Sequence, residues 1–320
     1  MFLASKPPHD FTLTLDVTDY FEEEYDVEEI YEGGFARPLR LSERDVLVVA
    51  TFNEDPDAPG FTLSLPEQDA PSTEEQAEIM RGMGRVLGSE LDYDAFLEAV
   101  SDDPVLGPIA HRHVGFKRLS RADFYEDTIR LVIRTRIAHE KTKRKMVRAV
   151  REAYGTTFQW RGRSYFAYPR PEVLAEVDPA DLRDHGLSKR KGEYITGLAK
   201  MVVDGELDLA EIELADPQTF HDLALTIRGV GPSSAQFLML RRNRSDAAFM
   251  TRDDPGASGL LRWFLPRYGI DPKEADPEAV DAVLSRWEGF EAMVSHTLYY
   301  DHVIADLEKA HQAALDAQAT

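Results

Sequence analysis

The sequence predicts an α+β fold, with an antiparallel sheet and a packed helix over residues 1–110 and a helical region over 111–312. Three observations carry this. Short N-terminal runs alternate apolar and polar residues; apolar positions recur at helical spacing from about residue 111 onward; and a turn rich in Gly and Pro joins two helices at 226–241.

"DFTLTLDV" (10–17) alternates Phe11, Leu13, Leu15 and Val17 with polar residues, which predicts a half-buried strand. "DVLVVATF" (45–52) and "GFTLSL" (60–65) read as two further strands, separated by the turn-rich "NEDPDAPG". "STEEQAEIMRGMGRVLG" (72–88) reads as a helix. Ser72 or Thr73 can cap it, acids fill its first turn, and Ile79, Met83 and Val86 form one apolar face.

Beyond residue 111, "SRADFYEDTIRLVIRTRI" (120–137) puts Phe124, Leu131 and Val132 on one side of a helix. "KTKRKMVRAVREAYG" (141–155) spaces Met146, Val150 and Tyr154 by four and stops at Gly155. Further helices are predicted at 188–205, 218–228, 233–241, 275–286 and 289–310, with 313–320 a frayed tail.

The formal charge is −21, with 10 lysines against 27 arginines. Such acidity keeps a protein dispersed and suggests adaptation to molar salt. The charge is uneven. Residues 1–110 hold 26 Asp or Glu against 6 Lys or Arg, whereas 111–165 hold 15 Lys or Arg against 5 Asp or Glu. A basic segment in so acidic a chain suggests contacts to a phosphate backbone. The chain has no cysteine. That excludes a disulfide scaffold, a thiolate metal site, a cysteine nucleophile and an iron–sulfur cluster. No apolar run is long enough for a transmembrane helix, and no signal peptide is visible, so a cytoplasmic, nucleoid-associated location is expected. The nine histidines, including His111 and His113, do not fall with carboxylates in a metal-ligand pattern, so no metal held by side chains is expected.

"TIRGVGPSSAQFLML" (226–240) is the most informative stretch. Gly229 and Gly231 allow a sharp turn, and Pro232 suits a first helical position. The amides that follow open a helix, where main-chain donors can bind a phosphate without a basic side chain. Asp253 and Asp254 follow the second helix. By themselves they read equally as a helix N-cap.

The hairpin with "TRDDPG" resembles the helix–hairpin–helix DNA glycosylases, and more closely their alkylation-repair branch, DNA-3-methyladenine glycosylase II. "PPHDFTLTL" and "GGFARPLRL" resemble that branch's N-terminal sheet domain, and "RLVIRTRIAHEKTKRKMVRAVREAYG" its first DNA-facing helix, loop and next helix. "LRDHGLSKRKGEYITGLAKMV" and "RWEGFEAMVSHTLYYD" resemble its later segments. The resemblance implies a TBP-like sheet domain followed by an all-α helix–hairpin–helix glycosylase domain pair. It implies a catalytic aspartate at Asp254, with Asp253 as the alternative register. It also implies DNA contacts at Gly229, Gly231, Ser233 and Ser234, and an apolar wedge at Ile137 that fills the gap left by a flipped base. Around Ile137, the cations Arg134, Arg136, His139, Lys141 and Lys143 would reach phosphates. The implied base pocket holds Phe237, Leu298 and Tyr299. Two tryptophans of the family pattern are Ser233 and Leu298 here; Trp287 or Tyr300 could substitute for them, or could equally be core residues. Ser233 also stands where the strand-cutting members carry a Schiff-base lysine, so hydrolysis without lyase activity is expected.

The expected partner is double-stranded DNA bearing damaged purines, bound by a monomer with no membrane association. No cofactor is expected, beyond a monovalent cation at the hairpin carbonyls that the resemblance implies. Three alternatives stay open: an oxidised- or deaminated-purine glycosylase on the same scaffold, a non-catalytic helix–hairpin–helix DNA-binding protein, and an acidic regulatory adaptor. The basic segment weighs against the last.

Overall fold

The computed structural model describes residues 1–20, 29–31, 34–244, 246–250 and 260–318. A five-stranded antiparallel sheet forms from β1 (Phe2–Ala4), β2 (Glu29–Tyr31), β3 (Gly34–Arg40), β4 (Asp45–Phe52) and β5 (Gly60–Ser64). The order across it is β1-β5-β4-β3-β2, with Phe35 opposite Ala50 and Ala50 opposite Leu63. The run "VLVVA" is apolar at successive positions because both faces of β4 are covered. One face packs on α2 (Thr73–Leu87) through Ile79, Met83 and Val86. Tyr165, Phe158 and Trp160 cover the other, from a hairpin of β6 (Thr157–Trp160) and β7 (Arg163–Phe166) that sequence patterning did not flag.

The predicted strand at 10–17 is instead a helix, α1 (Phe11–Tyr20). Asp10 caps it by accepting from the Leu13 amide at 2.8 Å. The buried positions are Phe11, Thr14, Val17 and Thr18, a helical spacing that the period-two string concealed. Two threonines serve on the inner face because their hydroxyls are satisfied: Thr18 donates to the Thr14 carbonyl and Thr14 to the carbonyls of Asp10 and Lys117. Tertiary packing thus overrides the strand preference of the Thr/Leu run.

Helix α2 forms as predicted, with Ser72 and Glu75 in a capping box and Gly88 left-handed at its end. Two helices follow, α3 (Tyr93–Val100) and α4 (Leu106–Arg112). Their apolar faces join the main helical core rather than the sheet core. That core then gathers α5 (Phe124–Arg134), α6 (Glu140–Tyr154), α7 (Pro171–Ala175), α8 (Lys189–Val203), α9 (Leu209–Leu214), α10 (Pro217–Thr226), α11 (Pro232–Leu240), α12 (Leu261–Phe264), α13 (Pro277–Leu284) and α14 (Glu291–Gln318). Gly155 ends α6 in an extended conformation. A side chain there would lie 2.0 Å from the Ala167 carbonyl oxygen, so close approach of the hairpin demands the glycine.

The basic segment is not one solvated face. Lys117, Arg118, Arg121, Arg130 and Arg151 are buried. Lys117 donates to the Lys6 carbonyl at 2.6 Å, and Arg151 to the Phe166 carbonyl at 2.8 Å beneath the Tyr168 ring. Part of the positive charge that the sequence suggested for DNA therefore holds the fold together.

Candidate nucleic-acid interface

Helix α10 is capped by Asp216, which accepts from the amides of Gln218 and Thr219. It ends in a turn anchored by the buried Ile227 and Val230, whose amide donates to the Ile227 carbonyl at 3.0 Å. The two glycines serve different ends. Gly229 has φ +101°, and a Cβ on it would fall 2.3 Å from the Tyr194 ring. Gly231 is extended, and a Cβ there would meet nothing within 4 Å. The first glycine makes the turn and seats it on α8; the second leaves the mouth of α11 open to close approach. Pro232 and Ser233 are exposed at that mouth and Ser234 is half-buried.

The loop from α5 to α6 is as tightly built. Thr135 closes α5 by donating to the Leu131 carbonyl at 2.7 Å. Arg136 then adopts a left-handed φ of +59°, which costs a non-glycine residue about 1 kcal/mol or more. The Ile137 amide returns to the Arg134 carbonyl at 3.3 Å. Ile137 rests partly on the main core and keeps part of its side chain outside.

Hairpin and loop face one cleft of about 670 Å³. Thr135, Arg136 and Ile137 line one wall, and Gly229, Val230 and Gly231 another. Its floor comes from the start of α8: Ser188, Arg190, Lys191 and Tyr194. Lys191 ties α8 to the end of α5 by donating to the Ile133 carbonyl at 2.5 Å, and burial lowers its pKa. Arg190 and Arg228 stand over the Tyr194 ring at 5.9 and 5.5 Å. The "SKRK" run that opens α8 carried the only sequence signal for this floor; nothing local placed it beside the hairpin.

Of the cations assigned to phosphate contacts, Arg136, His139 and Lys141 are exposed, and Arg134 and Lys143 are half-buried. His139 stands at the N-cap of α6 with no side-chain cap bond. Phe237 is half-buried, with the Arg241 guanidinium 4.8 Å over its ring. Leu298 is fully buried in the main core, whereas its neighbour Tyr299 reaches the surface. The two aromatics proposed as substitutes for the missing indoles are core residues. Trp287 is fully buried and its indole N–H points to Asp103; Tyr300 is buried and accepts from Arg118 at 2.8 Å. Neither can meet a base. Asp253 and Asp254 lie outside the described residues; Met250 and Leu260, which flank that stretch, both pack against the main core. Among the described residues, no three His, Asp or Glu side chains are grouped as metal ligands, and no helix is long and apolar enough to cross a membrane.

A family model described as HhH-GPD superfamily base excision DNA repair protein matches residues 129–289, which span both walls of the cleft. A DNA-3-methyladenine glycosylase of Bacillus subtilis is 26% identical over 216 residues, covering 67% of this chain and 69% of that protein. Among solved structures, a 3-methyladenine DNA-glycosylase from Archaeoglobus fulgidus superposes with a TM-score of 0.74 at 19% identity, over 95% of this chain and 98% of that one. The 8-oxoguanine glycosylase/lyase of Clostridium acetobutylicum, solved with double-stranded DNA, gives 0.64 at 16% identity over 91% of each chain. At these identities the structural likenesses speak for the fold.

Proposed function

The chain belongs to the HhH-GPD superfamily of base excision DNA repair proteins, and we propose that it is a monofunctional DNA glycosylase acting as a monomer on alkylated purines in double-stranded DNA. The observation that carries the reading is the shared cleft. The hairpin glycines and Ile137 come from segments about ninety residues apart, yet they line one cavity with a cationic floor. A duplex gripped at the hairpin would present its bases to the loop.

In this reading the damaged nucleotide leaves the stack and Ile137 occupies its place. The C1′–N bond then breaks. Its electron pair departs with the purine, and the sugar gains oxocarbenium character. The Asp254 carboxylate stabilises that charge and orients a water, whose oxygen bonds to C1′ while its proton passes to the carboxylate. Ser233 offers no amine, so no Schiff base forms and the strand stays intact. The name of the Bacillus subtilis relative supports alkylated purines as the substrate.

The test is release of free bases from duplexes carrying 7-methylguanine, 3-methyladenine, hypoxanthine or 8-oxoguanine, resolved by chromatography. Alkylated purines should appear, with strands uncut until heated in alkali. Release of 8-oxoguanine with a borohydride-trapped protein–DNA adduct would instead establish a bifunctional oxidised-purine enzyme. Binding without release of any base would leave a non-catalytic DNA-binding protein.

A further inference from the structure

The two walls of the cleft are braced by the first turns of one helix. Ser188 caps α8, its hydroxyl accepting from the Lys191 amide at 3.3 Å. Gly192 lies so close to the preceding chain that a Cβ there would fall 2.4 Å from the Pro179 carbonyl oxygen. Ile195 and Leu198 then bury the helix in the main core. A cap, a close backbone approach and the core therefore pin the start of α8.

Lys191 and Tyr194 stand three apart on this platform, as neighbours on one face. Each serves a different wall. The Lys191 ammonium donates to the Ile133 carbonyl, one of the last carbonyls of α5, which have no partner within their own helix. The negative end of the α5 dipole favours a cation there. The Ile137 loop is bound to that same last turn through the Ile137 amide on the Arg134 carbonyl and the Thr135 hydroxyl on the Leu131 carbonyl. The Tyr194 ring lies under the backbone of Gly229, and the Arg228 guanidinium of the hairpin and that of Arg190 both stand over it.

We infer that Lys191 and Tyr194 are positioning residues that hold the Ile137 loop at a fixed span from the hairpin, so that phosphates gripped at the hairpin set where Ile137 enters the duplex. This rests on the glycosylase reading above. A duplex held at the hairpin accepts Ile137 only when the loop stands at the matching distance, and a misplacement of about 1 Å in such a site costs on the order of a hundredfold in rate. With the strut in place, grip and insertion are one coupled event. Without it the hairpin still binds phosphate, but binding no longer aims the wedge.

The experiment measures affinity for a duplex bearing a tetrahydrofuran abasic site and for the undamaged duplex, with single-turnover release of 7-methylguanine alongside. Lys191→Met keeps an unbranched stem and removes the amine. It should lower the preference for the abasic duplex roughly tenfold, and should lower it no further when combined with Ile137→Ala. A role confined to stability would lower the urea midpoint and leave this preference unchanged. Because the chain has no cysteine, Lys191→Cys supplies a single thiol. Alkylating it with 2-bromoethylamine rebuilds an amine at the length of lysine and should restore the preference. A parent that neither releases 7-methylguanine nor prefers the abasic duplex overturns the glycosylase reading and this inference with it. An active parent whose Lys191→Met form keeps the preference, or whose alkylated Lys191→Cys form does not regain it, overturns the inference alone. If the Lys191 variants fail to fold, Tyr194→Leu, which frees the hairpin end of the strut, decides: it should lower the preference likewise, and an unchanged preference overturns the inference.

Discussion

Arg37 of β3 donates from one guanidinium nitrogen to both carboxylate oxygens of Glu126 on α5, each at 2.8 Å, with Arg37 fully buried. The pair ties the N-terminal sheet to the helix that carries the Ile137 loop. Removing one partner strands a charge in a dry site, which costs about 3–5 kcal/mol. Arg37→Met should therefore lower the urea midpoint sharply. The double variant Arg37→Met/Glu126→Gln should recover much of the loss, because the orphan charge is gone. Additive losses in that cycle would show that the two residues act independently.

Asp254→Asn should abolish base release while abasic-duplex affinity stays near that of the parent. Only the charge stabilisation of the transition state is removed. Activity that survives in Asp254→Asn but dies in Asp253→Asn would assign the catalytic acid to the other register.

Ile137→Ala should weaken binding to abasic or lesion-bearing duplex more than to undamaged duplex. A wedge is engaged only when a base is out. Because Ile137 also rests on the core, some loss of stability should accompany this, and equal loss of affinity on all duplexes would mean that packing is its whole role.

The hairpin was legible in sequence because its signals are local. Gly229 needs a positive φ, Pro232 starts α11, and the apolar spacing sets the helices on either side. Helix α2 was legible for the same reason, with its capping box and apolar face within one window. What escaped depends on partners far along the chain. Thr14 reads as an outward strand residue until the Lys117 carbonyl accepts its hydroxyl. Arg121 and Arg151 look like surface cations until the core closes over them. Trp263 resembles any apolar helix residue, and only its exposure beside Tyr299 sets it apart from the buried Trp287.

Lys117 gives the fold a pH dependence of predictable sign. Burial drives its pKa down to about 7, with Asp92 opposing and Lys6 adding to the shift. An unfolded lysine titrates near 10.4. Between these values the unfolded chain holds a proton that the folded chain has shed, so stability rises with pH, by at most about 1.4 kcal/mol per unit. Below about 7 both states are protonated and the penalty acts in full. Lys117→Met should therefore gain most over the parent near pH 7, and its advantage should shrink steadily toward pH 9.5. Thermal melting of both proteins across that range provides the check. A difference that does not vary with pH would mean that Lys117 stays charged inside the fold.

Salt should act on DNA binding in two opposed ways. Affinity falls with salt through counterion release, with a slope near −0.9 per phosphate neutralised. Only cations that reach the surface can contribute, and the burial of Lys117, Arg118, Arg121, Arg130 and Arg151 removes a third of the basic segment. Arg136, Lys141 and Lys145 are exposed along the loop and the start of α6. Against them stands the acidic N-terminal region, whose field extends about 30 Å at 0.01 M salt but only about 3 Å at 1 M. Raising salt therefore weakens the phosphate contacts and hides the repulsion together. The chain should show a shallow salt slope, and folding and activity should persist in molar KCl. Replacing Lys141, Lys143 and Lys145 with Gln should lower affinity and flatten the slope further. Binding isotherms from 0.05 to about 1 M KCl measure both. A steep slope in the parent, with activity gone above a few tenths molar, would mean that phosphate contacts dominate and that the acidic surface does not act at the interface.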